Sequence, residues 1–386
     1  NYRDAAESKV QQNYFCRIAG IAPTRCKNHQ RIAKLLCIIN YEITMTYSQP
    51  NFITQYPKIV DKRFHQLRFN IEENKCEAAV ITKLSNIRYL TNFSGSSAFL
   101  FVTDDEVHFV TDDRYEEQIK TELYDLPNLQ VHITRDVWGY LAKSKFLNKV
   151  ENLGFEADHI PYGDAVEIRN RIRPLKFKPI NNLVERFTYP KAPEELEYIK
   201  QACKIAEKVY EEMLGFIQPG MSEKDIAIEI AYRTRKLGSE GDPFDIIAVS
   251  GPRTALVHGK PSDRKIKKND VILLDFGAKV QGFGSDITRT FCVGKATKEQ
   301  KAIYKLVYDA KKAACEAARP GMNGKLLDAV ARKMIDNAGY GINFQHSLGH
   351  GIGLEAHEGP IITFRRDDQI IPEDVVLAIE PGVYFP

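Results

Sequence analysis

The sequence has few of the features that mark membrane-bound, disulfide-stabilised or nucleic-acid-binding proteins. No apolar run approaches the ~18 residues of a membrane span. The seven cysteines are odd in number and scattered without a C-x-x-C spacing, which argues against a disulfide framework or a zinc–thiolate site. The net charge is only +3, without a basic stripe, which argues against nucleic-acid binding. We therefore expect a cytoplasmic protein with neither membrane nor nucleic acid among its partners.

The length and composition are those of an ordinary globular protein. The chain has 386 residues, of which 43% are hydrophobic and 27% are charged. Such a chain can bury a large core and is expected to form two domains. Regular hydrophobic patterns begin near residue 60. We predict an N-terminal domain over residues 45–184 and a second domain over residues 185–386.

Residues 1–44 form an unusual leading segment. They show no sustained hydrophobic period, contain three of the seven cysteines and precede the first methionine, Met45. Two interpretations stay open. The segment is foreign to the native fold, for example upstream sequence read through, or it is an ordinary N-terminal extension.

The N-terminal domain is predicted from alternating helical and strand patterns, which are typical of an α/β domain. Two of its strands are joined by Asp104-Asp105, which indicates a hairpin. After the last predicted helix, three prolines indicate a linker to the second domain: Pro174, Pro179 and Pro190.

The second domain contains an internal duplication. A long helix is predicted over residues 193–216, followed by Pro219-Gly220-Met221 and a second helix whose start is signalled by Ser222 and Asp225. The same order of helix, Pro-Gly-Met, helix and strands recurs around Pro320-Gly321-Met322, 101 residues after the first motif. The repeat is too long for a solenoid and predicts two related halves with a cleft between them.

A hairpin in the first half carries a pair of aspartates. The run Val271-Ile272-Leu273-Leu274 is apolar on both faces and predicts a strand buried on both sides. Asp275 follows this strand directly, and Asp286 begins the returning strand. With a turn centred near Val280-Gln281, the two aspartates lie opposite each other on one face, with Cβ atoms about 5 Å apart.

The aspartate pair has two interpretations. Two ionised carboxylates that close in a dry place repel each other, so either one is protonated or a metal ion lies between them. The second interpretation is that one aspartate caps the turn and the other pairs with Arg289.

The second half supplies further candidate ligands. His346 and His350 lie among glycines, which permit close approach of backbone to a ligand, and His357 follows seven residues later. Glu380 ends an apolar strand just before a Pro-Gly turn, as Asp275 ends its own strand. Carboxylates with one histidine and no thiolate suit manganese or cobalt, with zinc as a third candidate.

Taken in order, these motifs resemble the pita-bread metallopeptidases, which include Xaa-Pro aminopeptidase, prolidase and methionine aminopeptidase. The resemblance covers about residues 60–386 and is strongest in SGPRTALVHGKPSDRKI, LLDFGA, SDITRTF, HSLGHGIGLEAHEGP and AIEPGVY. It implies an α+β fold with duplicated helix–helix–strand halves around a curved antiparallel sheet, preceded by a smaller α/β creatinase-like domain. Methionine aminopeptidases lack that N-terminal domain and are a poorer match.

The resemblance also implies roles for individual residues. It makes four side chains the ligands of two divalent metal ions, with manganese favoured over cobalt or zinc: Asp275, Asp286, His350 and Glu380. It assigns catalysis to His258 and His357, which also contact substrate. His346 either binds substrate with them or orients the glycine turn. Glu358 either supports the site or is solvated.

The reaction implied is hydrolysis of the peptide bond before proline by a metal-activated water. The substrates implied are small peptides with proline at the second position, and the enzyme is expected to be a homodimer. An aminopeptidase is favoured over a dipeptidase, or prolidase. A dipeptidase would need an arginine, such as Arg365 or Arg366, for the free carboxylate, although these residues also fit a solvated loop. Two hypotheses of a different kind stay open. One is a metal-free amidinohydrolase like creatinase, which does not share the metal-ligand set, and the second is a non-catalytic binding protein.

The sequence departs from the family pattern at one point. The family has a further glutamate ligand shortly after the Pro-Gly turn, which normally bridges the metals, whereas this sequence stops at Pro386. We therefore expect the chain to be a fragment that forms an incomplete site and lacks a closing strand.

Overall fold

The structure is a computed structural model that describes residues 58–172 and 175–385. The predicted leading segment, residues 1–44, lies outside the described residues. Within the described ranges, no helix has the length and apolar character needed to cross a membrane.

The N-terminal domain is built on a mixed sheet with the strand order β4-β3-β2-β1-β5-β6. Strands β1–β2 and β2–β3 are antiparallel, and the other neighbours are parallel. Its elements, in chain order, are α1 (Ile59–Glu73), β1 (Ala78–Ile81), α2 (Leu84–Thr91), β2 (Ala98–Thr103), β3 (Val107–Thr111), α3 (Glu116–Glu122), β4 (Leu129–Ile133), α4 (Val137–Lys143), β5 (Asn152–Glu156), α5 (Tyr162–Arg171) and β6 (Lys176–Ile180).

The predicted linker is wrong in one respect, because it contains strand β6. This strand pairs in parallel with β5 and contains Pro179. A proline has no N–H to donate, so it is tolerated in a sheet where one side of the strand has no neighbour. Strand β6 is at the edge of the sheet, which explains why a segment with the composition of a linker pairs as a strand.

The first half of the second domain begins with two helices, α6 (Pro193–Phe216) and α7 (Glu223–Lys236). Proline at the first turn of α6 fits a helix start, since its missing N–H would be unpaired there. At α7, the Ser222 side chain accepts from the Asp225 N–H, and the Asp225 side chain accepts from the Ser222 N–H. The predicted capping residues are therefore confirmed. The strands that follow are β7 (Ile247–Ser250), β8 (Val271–Phe276), β9 (Lys279–Val280), β10 (Phe283–Gly284) and β11 (Ile287–Cys292).

The second half repeats this order. Helices α8 (Lys298–Ala317) and α9 (Gly324–Asn337) precede β12 (Gly349–Gly351), β13 (Glu358–Ile362) and β14 (Leu377–Ile379). The first half forms an antiparallel sheet of order β11-β8-β7 and the second half one of order β13-β12-β14. The α+β fold with duplicated halves around curved antiparallel sheets is confirmed.

The hydrophobic core connects the two domains. One cluster joins buried side chains of the N-terminal sheet and its helices, such as Leu100, to Phe283 and Leu354 of the second domain. Separate clusters lie under the first half, around Leu274, and under the second half, around Leu348. The segments that carry the candidate ligands thus pack against three of the four hydrophobic clusters in the described residues.

The hairpin that carries Asp275 and Asp286 has a register different from the predicted one. Asp275 lies opposite Thr288, and Phe276 lies opposite Ile287. The turn residues are Gln281 and Gly282, both with positive φ (49° and 82°), which is the backbone of a type I′ hairpin turn. Asp286 is therefore diagonal to Asp275 rather than directly opposite it. Because the register differs by two residues, both side chains still lie on the same face.

Gly277 allows the two strands of this hairpin to meet. A Cβ atom at this position would lie 1.8 Å from the carbonyl oxygen of Ser285, on the opposite strand. No side chain fits such a distance, so any other residue would move the backbone between the two aspartates.

We predict that Gly277→Ala lowers the denaturant midpoint of unfolding and the affinity for divalent metal, because the added methyl group displaces the strand that carries Asp286. The matched control is Gly215→Ala in helix α6, where a Cβ meets nothing within 4 Å. Alanine is favoured over glycine in a helix by about 1 kcal/mol, so the control should keep or raise stability. Equal stability and metal affinity in the two variants would contradict this role of Gly277.

Candidate metal centre

Three candidate ligands converge between the two halves of the second domain. The ligand atoms of Asp286, His350 and Glu380 all lie within 4.8 Å of one another. His350 Nε2 is 2.9 Å from Glu380 Oε1 and 3.7 Å from Asp286 Oδ2. Asp286 begins the returning segment of the hairpin, His350 is the central residue of β12, and Glu380 follows β14 directly. The sheets of both halves therefore contribute to one cluster.

Asp275 is the fourth member of this cluster. Its side chain hydrogen-bonds to those of Asp286 and Thr288, and the charge of Glu380 acts on it as well. Burial raises the pKa of Asp275, and the charge of Glu380 raises it further. Burial also raises the pKa of Asp286, and the charges of Asp275 and Glu380 raise it further. Both carboxyl groups are thus costly to ionise together, unless a cation lies between them.

The ring of His350 is oriented by its own neighbours. Its Nδ1 lies 2.9 Å from the carbonyl oxygen of Gly351, which can only accept, so Nδ1 carries the hydrogen in the neutral ring. The lone pair of Nε2 then faces Asp286 and Glu380. A carbonyl that fixes the tautomer in this way is typical of histidines that bind metals. Burial opposes protonation of His350, but the adjacent Glu380 outweighs it and raises the pKa.

Several buried atoms of the cluster have no hydrogen-bond partner among the residues that the structure describes. They are Asp275 Oδ1, His350 Nε2 and Glu380 Oε1. The last two are close to each other but not aligned as a hydrogen bond. Buried polar atoms are costly when unpaired. Carboxylate oxygens and an imidazole nitrogen are ligands of manganese, cobalt and zinc, so these residues fit a divalent metal.

The other three candidate histidines lie around this cluster. The ring of His357 is exposed, and its centroid is 4.3 Å from that of His350. Burial lowers the pKa of His357, and the charges of His350 and His258 lower it further. His258 is exposed and also acts on His346, whose pKa is lowered first by burial. All three histidines therefore lie close enough to the cluster, or to one another, to share its electrostatic field.

The two ring nitrogens of His346 differ in their surroundings. Its Nδ1 lies 2.8 Å from the carbonyl oxygen of Ser347, which agrees with a role in orienting the glycine turn. Its Nε2 is buried and has no hydrogen-bond partner within the described ranges, which leaves it available to a ligand. A Cβ at Gly382 would lie 3.0 Å from both this Nε2 and the hydroxyl of Tyr384.

The glycines near His350 serve the strands rather than a ligand. A Cβ at Gly349 would lie 1.9 Å from the carbonyl oxygen of Ala378, on β14. One at Gly351 would lie 2.2 Å from that of Gly359, on β13. At these two positions, the expectation of close backbone approach to a ligand is replaced by close approach of strands.

Glu358 is buried, which excludes the second of its two interpretations, a solvated side chain. Its carboxylate forms an ion pair with Lys191, whose side chain is fully buried and also donates to the carbonyl oxygens of Thr188 and Tyr189. Burial raises the pKa of Glu358, and Lys191 only partly offsets this. The pair connects the start of the second domain to the strand that follows His357.

Two residues near the cluster were not singled out in the sequence. Thr288 lies opposite Asp275 and on the same face, so the correct register would have identified it. Burial raises the pKa of Tyr384 to about 12, together with the charges of Asp275 and Glu380. Tyr384 lies in the AIEPGVY motif, but no spacing rule connects it to the aspartates.

A salt bridge fixes the loop before His350. Arg332 and Asp328 pair on helix α9, and Arg332 also donates to the carbonyl oxygens of Phe344 and His346. Asp328 accepts from the N–H of Leu348. The second helix of this half thus holds the segment that presents His346 and His350.

The duplicated fold, with carboxylates and a histidine converging between its halves, is that of a hydrolase of the metallopeptidase type. Comparison with known families agrees with this. Residues 197–386 match Metallopeptidase family M24, and residues 63–187 match the Creatinase/Prolidase N-terminal domain.

Individual proteins show the same likeness. The chain is 33% identical to an Xaa-Pro dipeptidase from Pyrococcus horikoshii, over 85% of this chain and 91% of that protein. It is similar to a solved Xaa-Pro dipeptidase from Bacillus anthracis, with a TM-score of 0.79, 34% identity and coverage of 85% and 91%. A solved X-Pro aminopeptidase from Thermotoga maritima gives a TM-score of 0.76 at 36% identity, with coverage of 84% and 91%. The chain belongs to metallopeptidase family M24.

We predict that Asp275→Asn and His350→Ala each abolish bound divalent metal and peptidase activity while leaving the fold largely intact, because each removes one ligand from a preformed cluster. Metal content is measured on purified protein, and the fold by circular dichroism. Matched controls are Asp61→Asn and His65→Ala, at exposed positions on helix α1. Full metal stoichiometry in both ligand variants would rule out the assignment.

Proposed function

We propose that this protein is a metal-dependent exopeptidase that hydrolyses the bond between an N-terminal residue and proline, as an Xaa-Pro aminopeptidase. The observation that carries the proposal is the cluster of Asp275, Asp286, His350 and Glu380, in which three buried polar atoms lack hydrogen-bond partners among the described residues. Membership of family M24 supports a peptidase, and the name of the Thermotoga maritima relative supports this specificity.

The ligands and the surrounding histidines would have different roles in catalysis: the ligands would bind metal, and the histidines would contact the substrate. Divalent ions held by the cluster supply a water activated at neutral pH and a Lewis acid for the carbonyl oxygen. His350 is oriented by the Gly351 carbonyl, so its Nε2 needs no rearrangement to bind. His357, exposed next to it, would donate a hydrogen bond to the substrate carbonyl as negative charge develops there. His258 would contact the substrate from its own loop.

The specificity for proline would depend on shape. A peptide bond before proline has no N–H, so the enzyme has no donor to recognise at that position. The buried Nε2 of His346 and the ring of Tyr384 lie beside the cluster and are candidates for the wall of the proline pocket.

The metal and its setting are part of the proposal. The ligand set is rich in oxygen, which supports manganese, with cobalt or zinc as alternatives, and we propose that it would hold two divalent ions. Four cysteines in the described residues are free thiols, which supports a reducing, cytoplasmic setting: Cys76, Cys203, Cys292 and Cys315. The homodimer is carried over from the family resemblance, and sedimentation of the protein tests it.

The second candidate is an Xaa-Pro dipeptidase. The names of the relatives from Pyrococcus horikoshii and Bacillus anthracis favour it. Its substrate ends in a free carboxylate, for which an arginine is the best partner. Arg366 already pairs with Asp368 at 2.6 Å on the surface, and Arg365 lies over the ring of Phe364. Neither arginine contacts the metal cluster in this arrangement, which supports the aminopeptidase as the first choice.

We predict that the enzyme, when it carries the further glutamate ligand of the family pattern, cleaves Xaa-Pro-Yaa tripeptides at least as well as the corresponding Xaa-Pro dipeptides. Arg365→Ala and Arg366→Ala should change kcat/KM less than about twofold, because exposed side chains outside the site contribute little. The measurement compares kcat/KM on a dipeptide and on the same peptide extended by one residue, for the parent and both variants. A strong preference for the dipeptide, lost on removal of either arginine, would identify a dipeptidase instead.

A further inference from the structure

Helix α2 of the N-terminal domain contacts the second domain at the hairpin that carries the aspartates. Arg88, on this helix, forms a two-pronged ion pair with Glu240, in which Nη1 and Nη2 lie 2.8 Å from Oε2 and Oε1 respectively. The side chains are 21% and 33% exposed. The pair connects residues 152 positions apart in sequence and joins the two domains.

Glu240 also holds the turn of the hairpin. Its Oε1 accepts from the N–H of Gln281 at 3.0 Å, and its Oε2 accepts from the N–H of Gly282 at 3.1 Å. These are the two turn residues with positive φ. Burial opposes ionisation of Glu240, but Arg88 and the two N–H groups outweigh it, and the pKa is lowered. A Cβ at Gly282 would lie 3.3 Å from Arg88, so the arginine side chain packs directly on the turn.

The same helix also contacts the ligand segment of the other half. The hydroxyl of Ser85 donates to Glu355 Oε1 at 2.6 Å, and Lys83 Nζ, just before the helix, lies 3.4 Å from the same oxygen. Glu355 lies in the loop between His350 and His357. The Gly284 N–H, on the hairpin, donates to the Gly353 carbonyl at 2.7 Å, so the two ligand segments also touch each other here.

We propose that Arg88 is a positioning residue for the metal centre, and that helix α2 holds the two ligand-bearing segments of the second domain in register. Among the described residues, Arg88 pairs with Glu240 and forms no hydrogen bond or ion pair with the four proposed metal ligands. It acts through Glu240, whose carboxylate fixes the type I′ turn and hence the spacing of Asp275 and Asp286. The inference rests on the proposed function for its consequence in catalysis, but its structural part stands on the contacts alone.

The arginine is better suited to this task than another cation. Its planar guanidinium presents two N–H groups in parallel and so fixes the orientation of the Glu240 carboxylate, whereas lysine is a point charge. With the carboxylate held flat, each oxygen keeps a lone pair for one backbone N–H of the turn. Loss of the fork would leave Glu240 free to rotate away from the turn.

The experiment uses Arg88→Met, which keeps most of the length of the side chain and removes the guanidinium group that binds Glu240. The matched control is Arg135→Met, because Arg135 makes a similar two-pronged pair with Asp113 at 2.7 and 3.0 Å, within the N-terminal domain. We expect Arg88→Met to weaken Mn²⁺ binding by about tenfold, as is usual for groups that orient ligands, and to lower kcat more than it raises KM. Arg135→Met should leave both unchanged.

Hydrogen exchange in the metal-free protein gives a readout that does not depend on activity. Arg88→Met should increase exchange of the amides of residues 275–288, and Arg135→Met should not. The charge swap Arg88→Glu with Glu240→Arg restores an ion pair but leaves no acceptor for the Gln281 and Gly282 N–H groups, so it should not restore slow exchange or metal affinity.

Two outcomes would overturn the proposal. One is an Arg88→Met protein with a lower melting temperature but normal hairpin exchange and Mn²⁺ affinity, which would make the pair a simple connection between domains. The second is full rescue by the charge swap. If instead the parent protein binds no Mn²⁺, the proposed function fails, and the exchange of the hairpin amides still decides the role of Arg88.

Discussion

The structure depends on the repulsion among carboxylates that are brought together away from water. Asp275, Asp286 and Glu380 surround His350, and burial and mutual charge raise the pKa values of both aspartates. The rest of the fold holds these carboxylates close together in a buried place, where their ionised forms repel one another. A cation bound to several of these carboxylates at once would offset the repulsion between them, which favours metal binding at this site.

The duplicated architecture explains how one chain brings these groups together. Each half carries an acid near the end of a strand. Asp275 is the penultimate residue of β8 rather than the residue after it, Glu380 follows β14, and the charge of Glu380 acts on Asp275 across the cleft. Glycines at positions 277, 349 and 351 allow the backbones to approach at the points where any side chain would collide. Around this centre, buried or half-buried ion pairs hold the segments that carry the ligands. These pairs are Arg332–Asp328, Lys191–Glu358 and Arg88–Glu240.

Local signals in the sequence predicted much of the scaffold. Helix α6 has the predicted bounds, because a proline begins it and a continuous amphipathic pattern follows. The cap at Ser222 and the double Pro-Gly-Met pattern likewise depend on residues close in sequence. Asp275 and Glu380 stood out because each follows an apolar run, but the full ligand set, with Asp286 and His350, came from the family resemblance.

The remaining features depend on partners far apart in the chain. The predicted hairpin register was wrong by two residues because Gln281 adopts a positive φ, which a glutamine in the sequence does not indicate. Strand β6 has the composition of a linker and pairs only because the sheet offers an edge. Lys191 and Glu358 are 167 positions apart, and Arg88 and Glu240 are 152 apart, so neither pair leaves a local pattern.

The measurement that tests the metal centre most directly is a crystal structure of the protein soaked in Mn²⁺, with anomalous diffraction data collected above the manganese edge. We predict anomalous density between Asp286, His350 and Glu380, at bonding distance from His350 Nε2 and from oxygens of both aspartates. An ordered cluster without such density, or with manganese bound only elsewhere, would contradict the proposed metal centre.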